Sequence, residues 1–197
     1  MNDILELRAA FGGLASPGET MELYNAVINS PTGDVVEIGS ASGGTTIALI
    51  KAAEKVGKMV YSVDPYPEEL EGVASYYDKG LMKKLKADFK RNILNGQYKN
   101  ILQFNEDLSK CIGGIPSGLS MVFIDGLHEY ASAMNEFTLI YPIVVSGGWI
   151  YIHDTCWDKG QLSGTVETGL LRIPTNIDQS LFSEVKMMES MFCGRKI

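Results

Sequence analysis

The chain predicts a doubly wound α/β fold: a mostly parallel, seven-stranded sheet with helices on both faces and an antiparallel hairpin at its C-terminal end. Three observations carry this. Short, almost continuously apolar runs such as VVEI (35–38), MVFI (121–124) and WIYI (149–152) alternate with longer stretches of helical spacing. Strands apolar on every residue are those buried on both faces, which parallel crossovers provide. After residue 180 the rhythm changes, and two strand-like runs, FSEVKMMES (182–190) and MFCGRKI (191–197), follow each other without a helix between them.

The elements follow in order. Ser16, Pro17 and Glu19 give a helix start, with a side-chain cap, a proline at the first helical position and a glutamate three residues after the cap. That helix is expected to run to about Ile28. DVVEIG (34–39) reads as the first strand, GTTIALIKAAEKVG (44–57) as a helix closed by Gly57, and KMVYSVD (58–64) as the second strand. A long polar loop spans 65–80. KKLKADFKRN (83–92) follows, with Met82, Leu85, Phe89 and Ile93 at helical spacing, so its lysines are expected on the wet face of an amphipathic helix. NILQFNED (100–107), LSMVFIDG (119–126) and GGWIYIHD (147–154) are the third, fourth and fifth strands, with a helix over 129–144 between the last two.

At 197 residues the chain is expected to form one domain, with residues 1–30 a helical cap and 31–197 the ligand-binding core. A net charge of -7 disfavours nucleic acid and anionic membranes as partners, because both are held through clustered Lys and Arg. Cys111, Cys156 and Cys193 are far apart and form no CxxC pair, which fits a reducing cytoplasm rather than a disulfide framework or zinc knuckle. The first residues, MNDILELRAAFGG, are acidic and amphipathic, unlike a secretory leader, and no apolar run is long enough to span a bilayer.

Ligands of doubly wound sheets bind at the carboxyl ends of the strands, where the winding direction reverses. Every predicted strand end carries a carboxylate: Glu37 before the turn GSASGG (39–44), Asp64, Asp107, Asp125 and Asp154. Gly39, Ala41 and Gly44 nearly match the GxGxxG dinucleotide fingerprint, and Asp64 lies where a carboxylate accepts the vicinal hydroxyls of a ribose. The pattern departs from that fingerprint at Ala41, and Glu37, Gly39 and Gly43 form E-x-G-x-x-x-G instead. No lysine follows the glycines, so the turn is not a phosphate P-loop. Both histidines of the chain, His128 and His153, fall at the ends of strands four and five beside Asp125 and Asp154. An imidazole there is suited to take a proton from a hydroxyl or to bind an ion.

VVEIGSASGGTT, YSVDPY, MVFIDGLHEY and GGWIYIHD, in this order and spacing, resemble the class I S-adenosylmethionine-dependent methyltransferases. The resemblance is greatest to the small-molecule O-methyltransferases of macrolide-sugar and cephalosporin pathways, with catechol O-methyltransferase more distant. It spans about residues 17–195 and implies a Rossmann-like fold. It further implies that Glu37, Gly39 and Gly43 line the methionine part of the cofactor, that Ser40 and Thr45 bind it, that Asp64 takes the ribose, that Asp107 lies near the adenine, and that Asp125 faces the transferring methyl group. Asp125, His128 and His153 are the implied catalytic set. In metal-dependent relatives an acid at the place of Asp125 and an acidic pair ending the fifth strand hold Mg2+. Here the pair is His153-Asp154, which leaves Asp125 and Asp154 as the candidate ligands and the metal an open question. A small-molecule acceptor and a second copy of the chain are the expected partners.

Two rivals stand beside this reading: an NAD-dependent oxidoreductase, favoured by the glycine turn and Asp64, and a regulatory protein that binds the cofactor without turnover. Tyr66, Tyr76, Tyr77 and Tyr130 are candidates for an aromatic wall, the 65–80 loop for a lid, and 156–177 for acceptor selection. Met187, Met188 and Met191 are expected in the core or a dimer contact.

Overall fold

The computed structural model describes residues 2–67, 79–96, 98–155 and 170–197. Seven strands, β1 (Val35–Ile38), β2 (Val60–Val63), β3 (Ile101–Phe104), β4 (Leu119–Ile124), β5 (Val144–Ile152), β6 (Phe182–Met188) and β7 (Met191–Lys196), form one sheet in the order β3-β2-β1-β4-β5-β7-β6. The first five run parallel, while β7 enters antiparallel between β5 and β6. The expected seven-stranded, mostly parallel sheet with a terminal hairpin is therefore observed.

Alternation along each strand divides the core in two. Val35, Met121, Phe123, Tyr151 and Cys193 face one side, where α2 (Pro17–Asn29), α3 (Gly44–Val56) and the buried Phe89 and Ile93 pack. Val36, Ile38, Val122, Ile124, Ile150, Ile152 and Phe192 face the other, against α5 (Leu108–Cys111) and α6 (Tyr130–Ile140). A preceding helix, α1 (Asn2–Ala10), packs on α3. The basic helix, α4 (Lys79–Asn92), turns Met82 and Phe89 inward and leaves Lys83, Lys84, Lys86 and Lys90 exposed, as its spacing predicts. No helix among the described residues is long and apolar enough to cross a membrane.

Helix α2 ends at Asn29, next to its expected limit, and β3 lies at the sheet edge, with Leu102 47% exposed. One boundary differs from the sequence reading. Strand β5 begins at Val144 and ends at Ile152, so His153 and Asp154 stand in the turn beyond it. Gly147, at φ 77, interrupts the strand that the glycine pair was expected to open.

At the opposite end of the sheet a buried lysine ties three segments together. Lys58 Nζ donates to the carbonyls of Val27, Ser30 and Pro31 and to the hydroxyls of Ser30 and Ser120, at 2.6–3.2 Å. Its stem crosses apolar surface while its ammonium closes the last turn of α2 onto the start of β2 and β4. Lys58→Met keeps the stem and strips the donor, which should lower unfolding free energy by about 2–3 kcal/mol in urea titration.

Candidate functional site

Strand order reverses between β1 and β4, whose ends lie in register: Ile38 faces Ile124. The chain leaves β1 through Gly39 at φ 86, Ala41 at φ 45 and Gly43 at φ 92, then enters α3 at Gly44. Ala41 thus adopts the left-handed conformation that the GxGxxG pattern assigns to glycine. A Cβ on Gly39 would land on the Asp125 carbonyl, one on Gly43 would meet Ile93, and one on Gly44 would overlap Gly13. These glycines are small because backbone or side chain already fills the adjoining space.

Asp64 closes this turn. Its Oδ2 accepts the amides of Ser40 and Ala41, each at 2.9 Å, and its Oδ1 accepts the amide of Tyr66, also at 2.9 Å. A carboxylate has about four acceptor positions, so one remains for an outside donor. Burial raises the Asp64 pKa, and the three amide bonds only partly oppose it. Tyr66 crosses over the turn and donates from its hydroxyl to the Ala41 carbonyl at 2.7 Å.

Beneath the turn, Glu37 is fully buried. Thr46 in the first turn of α3 donates to its Oε2 at 2.5 Å, and Oε1 has no partner among the described residues. Burial, reinforced by Asp125 and Asp64, pushes the Glu37 carboxyl up to about 8. Ser40 and Ser62 share a hydroxyl hydrogen bond beside it, and Thr45 is buried in the same helical turn. Glu37, Gly39, Ser40, Gly43, Thr45 and Asp64 therefore form one continuous structure. Asp107 sits apart, as the cap residue of α5 beyond the edge strand, paired with Lys110 at 3.3 Å.

The second half of the site lies at the ends of β4 and β5. His153 Nδ1 is 3.1 Å from Asp125 Oδ1 and 3.2 Å from Asp154 Oδ1, within ion-pair distance of both without the alignment of a hydrogen bond. Its Nε2 is 3.2 Å from Glu19 Oε2, and its ring meets Phe123 edge-on. His128 Nε2 is 3.6 Å from Asp125 Oδ1 and 3.3 Å from Asp154 Oδ2. The two imidazoles differ in access: the His128 side chain is 36% exposed and that of His153 only 9%.

Burial opposes a charged ring at His153, but Asp125, Asp154 and Glu19 outweigh it and hold its pKa far above the ordinary imidazole range. Burial likewise tends to raise Asp125, yet His153 and His128 keep it below the usual carboxylate value. Donation to the Asp125 carboxylate raises His128 against a smaller opposing effect of burial. Asp154 has φ 57, so this carboxylate is delivered by a left-handed turn residue.

Two acidic residues at this site are not singled out by sequence motifs. Glu19 was visible only as a capping residue. Glu136 of α6 lies beside Gly126, with a buried Oε2 that has no partner among the described residues and a pKa pushed by burial up to about 8. Tyr76, Tyr77, Cys156, most of the 65–80 loop and the first part of 156–177 lie outside the described residues.

The family model for a methyltransferase domain matches residues 36–155, more than half of the chain and every strand end described above. The chain belongs to this methyltransferase family. A curated relative, uncharacterized protein R132 of Acanthamoeba polyphaga mimivirus, is 29% identical over 151 residues, or 77% of this chain and 63% of R132. The methyltransferase-domain chain thus spans less than two thirds of that relative. Among solved structures, a Podospora anserina methyltransferase with SAH bound superposes at a TM-score of 0.69, with 11% identity, over 100% of this chain and 87% of its own. A Bacillus cereus O-methyltransferase in complex with SAH gives 0.66 and 16%, over 99% and 90%. The O-methyltransferase TomG of Streptomyces achromogenes, involved in tomaymycin synthesis and solved with SAM, gives 0.64 and 12%, over 100% and 89%. At these identities the structural likeness establishes the fold.

Proposed function

We propose that this chain is an S-adenosylmethionine-dependent O-methyltransferase acting on a hydroxyl of a small molecule. The observation that carries the reading is the pairing at one switch point of a glycine turn over the buried Glu37 carboxyl with an accessible imidazole, His128, beside Asp125. The turn suits the cofactor: backbone lines its surface, the first turn of α3 offers amide donors, and Glu37 Oε1 is a buried acceptor lacking a donor such as an ammonium or bound water supplies. S-adenosylmethionine, when bound, supplies a methyl group already activated by its sulfonium.

The protein must then align an acceptor oxygen and remove its proton. His153 has a carboxylate against each ring nitrogen and no lone pair to spare for that proton. His128 stands at the rim, where its imidazole takes the hydroxyl proton as the oxygen–methyl bond forms. Asp125 and Asp154 stabilise the imidazolium that results. Asp64 uses its remaining acceptor position for a ribose hydroxyl, and Asp107 marks the adenine end.

Asp125, His128 and Asp154 bring one ligand atom each within 4.8 Å of one another. The set does not fit Mg2+, which takes oxygen ligands. One of the three donors is an imidazole nitrogen, and His153 Nδ1 competes for one oxygen of each carboxylate. Acceptor deprotonation is accordingly assigned to His128 alone.

Calorimetric titration with S-adenosylmethionine, SAH and NAD, with and without Mg2+, tests the assignment. The first two should bind in the micromolar range and NAD should not; binding of NAD alone overturns it. Against a panel of hydroxylated acceptors, His128→Ala should slow methyl transfer on the order of a hundredfold while SAH binding persists. Equal turnover by the variant would remove His128 from the mechanism.

A further inference from the structure

Glu19 does more than cap α2. Capping requires only that its carboxylate accept the Ser16 amide, which it does at 2.8 Å while Ser16 Oγ accepts the Glu19 amide at 3.0 Å. A capping glutamate is ordinarily solvated, yet the Glu19 side chain is 4% exposed and all its acceptor positions are filled. Oε1 takes the amide of Ser190 at 3.0 Å and the Ser190 hydroxyl at 2.5 Å, in the turn between β6 and β7. Oε2, besides Ser16, takes His153 Nε2 at 3.2 Å. Burial alone would raise this carboxyl, but the donors of His153, Ser190 and Ser16 hold it well below the usual carboxylate range.

We propose that Glu19 is a positioning residue of the active site. By accepting from Nε2 it fixes the orientation of the His153 ring, and through that ring it holds Asp125 and Asp154 together at the acceptor end. The inference deepens the methyltransferase reading and rests on it for the role of the two carboxylates. Its physical basis is a count of donors. With Nε2–H committed to Glu19, the opposite nitrogen lies within ion-pair distance of Asp125 Oδ1 and Asp154 Oδ1, at 3.1 and 3.2 Å. Phe123 packs against the ring in an edge-to-face contact with centroids 5.8 Å apart. Two segments distant in sequence, the start of α2 and the β6–β7 turn, thereby become part of the wall that sets carboxylate geometry.

Glu19→Gln separates this role from capping. Glutamine serves in a capping box, so the helix start survives. Its amide has one acceptor oxygen and one donor nitrogen, however, and cannot receive from Ser16, Ser190 and His153 together. With that oxygen kept on Ser16 it also faces His153 Nε2, so the histidine keeps an acceptor but loses the facing negative charge, and the amide nitrogen is set against the Ser190 donors.

The test uses two-bond proton–nitrogen NMR correlations of the histidine side chains in the labelled full chain, followed by SAH titration of the same samples. The unmodified protein should show a protonated, slowly exchanging Nε2 at His153. In Glu19→Gln that proton should exchange faster and its resonance should shift, SAH affinity should change less than about threefold, and methyl transfer should fall tenfold or more through kcat rather than KM. An unprotonated His153 Nε2 in the unmodified protein overturns the proposal whether or not the variant folds. Identical histidine spectra in the two proteins also overturn it. A protonated Nε2 in a protein that binds no SAH upholds the Glu19 contact and defeats the cofactor assignment instead.

Discussion

Gly39→Ala is expected to lower unfolding free energy by about 3–5 kcal/mol and to abolish SAH binding at concentrations that saturate the unmodified protein. Two independent costs combine. Gly39 has φ 86, a conformation that strains any residue with a Cβ. The added methyl also points at the carbonyl of Asp125, where the end of β1 passes the end of β4. Because Asp125 donates its amide to Ile38 at 2.8 Å, the two strand ends cannot separate without breaking their ladder. The shift needed to admit one methyl group thus moves the turn and Asp125 together. Urea unfolding and SAH calorimetry read the two effects separately. A variant with unchanged stability and affinity would show that the close approach of β1 and β4 does not constrain the site.

The strand ends of this site were legible in the sequence because they follow a local pattern. A buried apolar run ending in a carboxylate marks the edge of a parallel sheet, and Asp64, Asp125 and Asp154 all emerge there. The division of labour among them was not legible. Asp64, read as a free ribose acceptor, spends three acceptor positions on the amides of Ser40, Ala41 and Tyr66. That depends on the left-handed conformation of Ala41, for which an alanine gives no sequence cue. His128 and His153 were equivalent candidates, each beside an aspartate; only tertiary packing makes one half-exposed and surrounds the other with carboxylates. Glu19 was read correctly as a capping residue, but its partner His153 lies 134 residues away, beyond any spacing rule. The onset of β5 was misplaced for a simpler reason. A glycine pair resembles the end of a turn, whereas here Gly147 makes an irregularity within the strand.

Glu37→Gln should stabilise the protein at pH 8 by about 3–5 kcal/mol and weaken SAH binding by roughly ten- to hundredfold. The folded state raises the Glu37 pKa from 4.5 to about 8, chiefly by burial, with Asp125 and Asp64 adding to it. Between those values the folded chain keeps a proton that the unfolded chain has released. Stability therefore falls as pH rises from about 4.5 to about 8, at up to roughly 1.4 kcal/mol per pH unit for one such group. Glu136, raised to about 8 chiefly by burial, adds a second slope of the same sign. Glutamine cannot titrate, so Glu37→Gln removes its own slope and leaves those of the other raised groups. The gain should be near zero at pH 4.5 and greatest at pH 8, as measured by urea unfolding across that range. Glu19 titrates in the opposite sense, its pKa lowered to about 2 by His153, Ser190 and Ser16 against burial, and it matters only below about pH 4.5. A carboxyl that weakens the fold whenever it ionises is difficult to explain by packing alone, since glutamine fills the same space and still accepts from Thr46. A ligand ammonium reaching Oε1 would favour the ionised form, so binding by the unmodified protein near pH 7 should release a proton that the glutamine variant does not. Calorimetry of SAH binding in buffers of different ionisation enthalpy measures that proton directly, and equal proton release by the two proteins would place the ligand's ammonium away from Glu37.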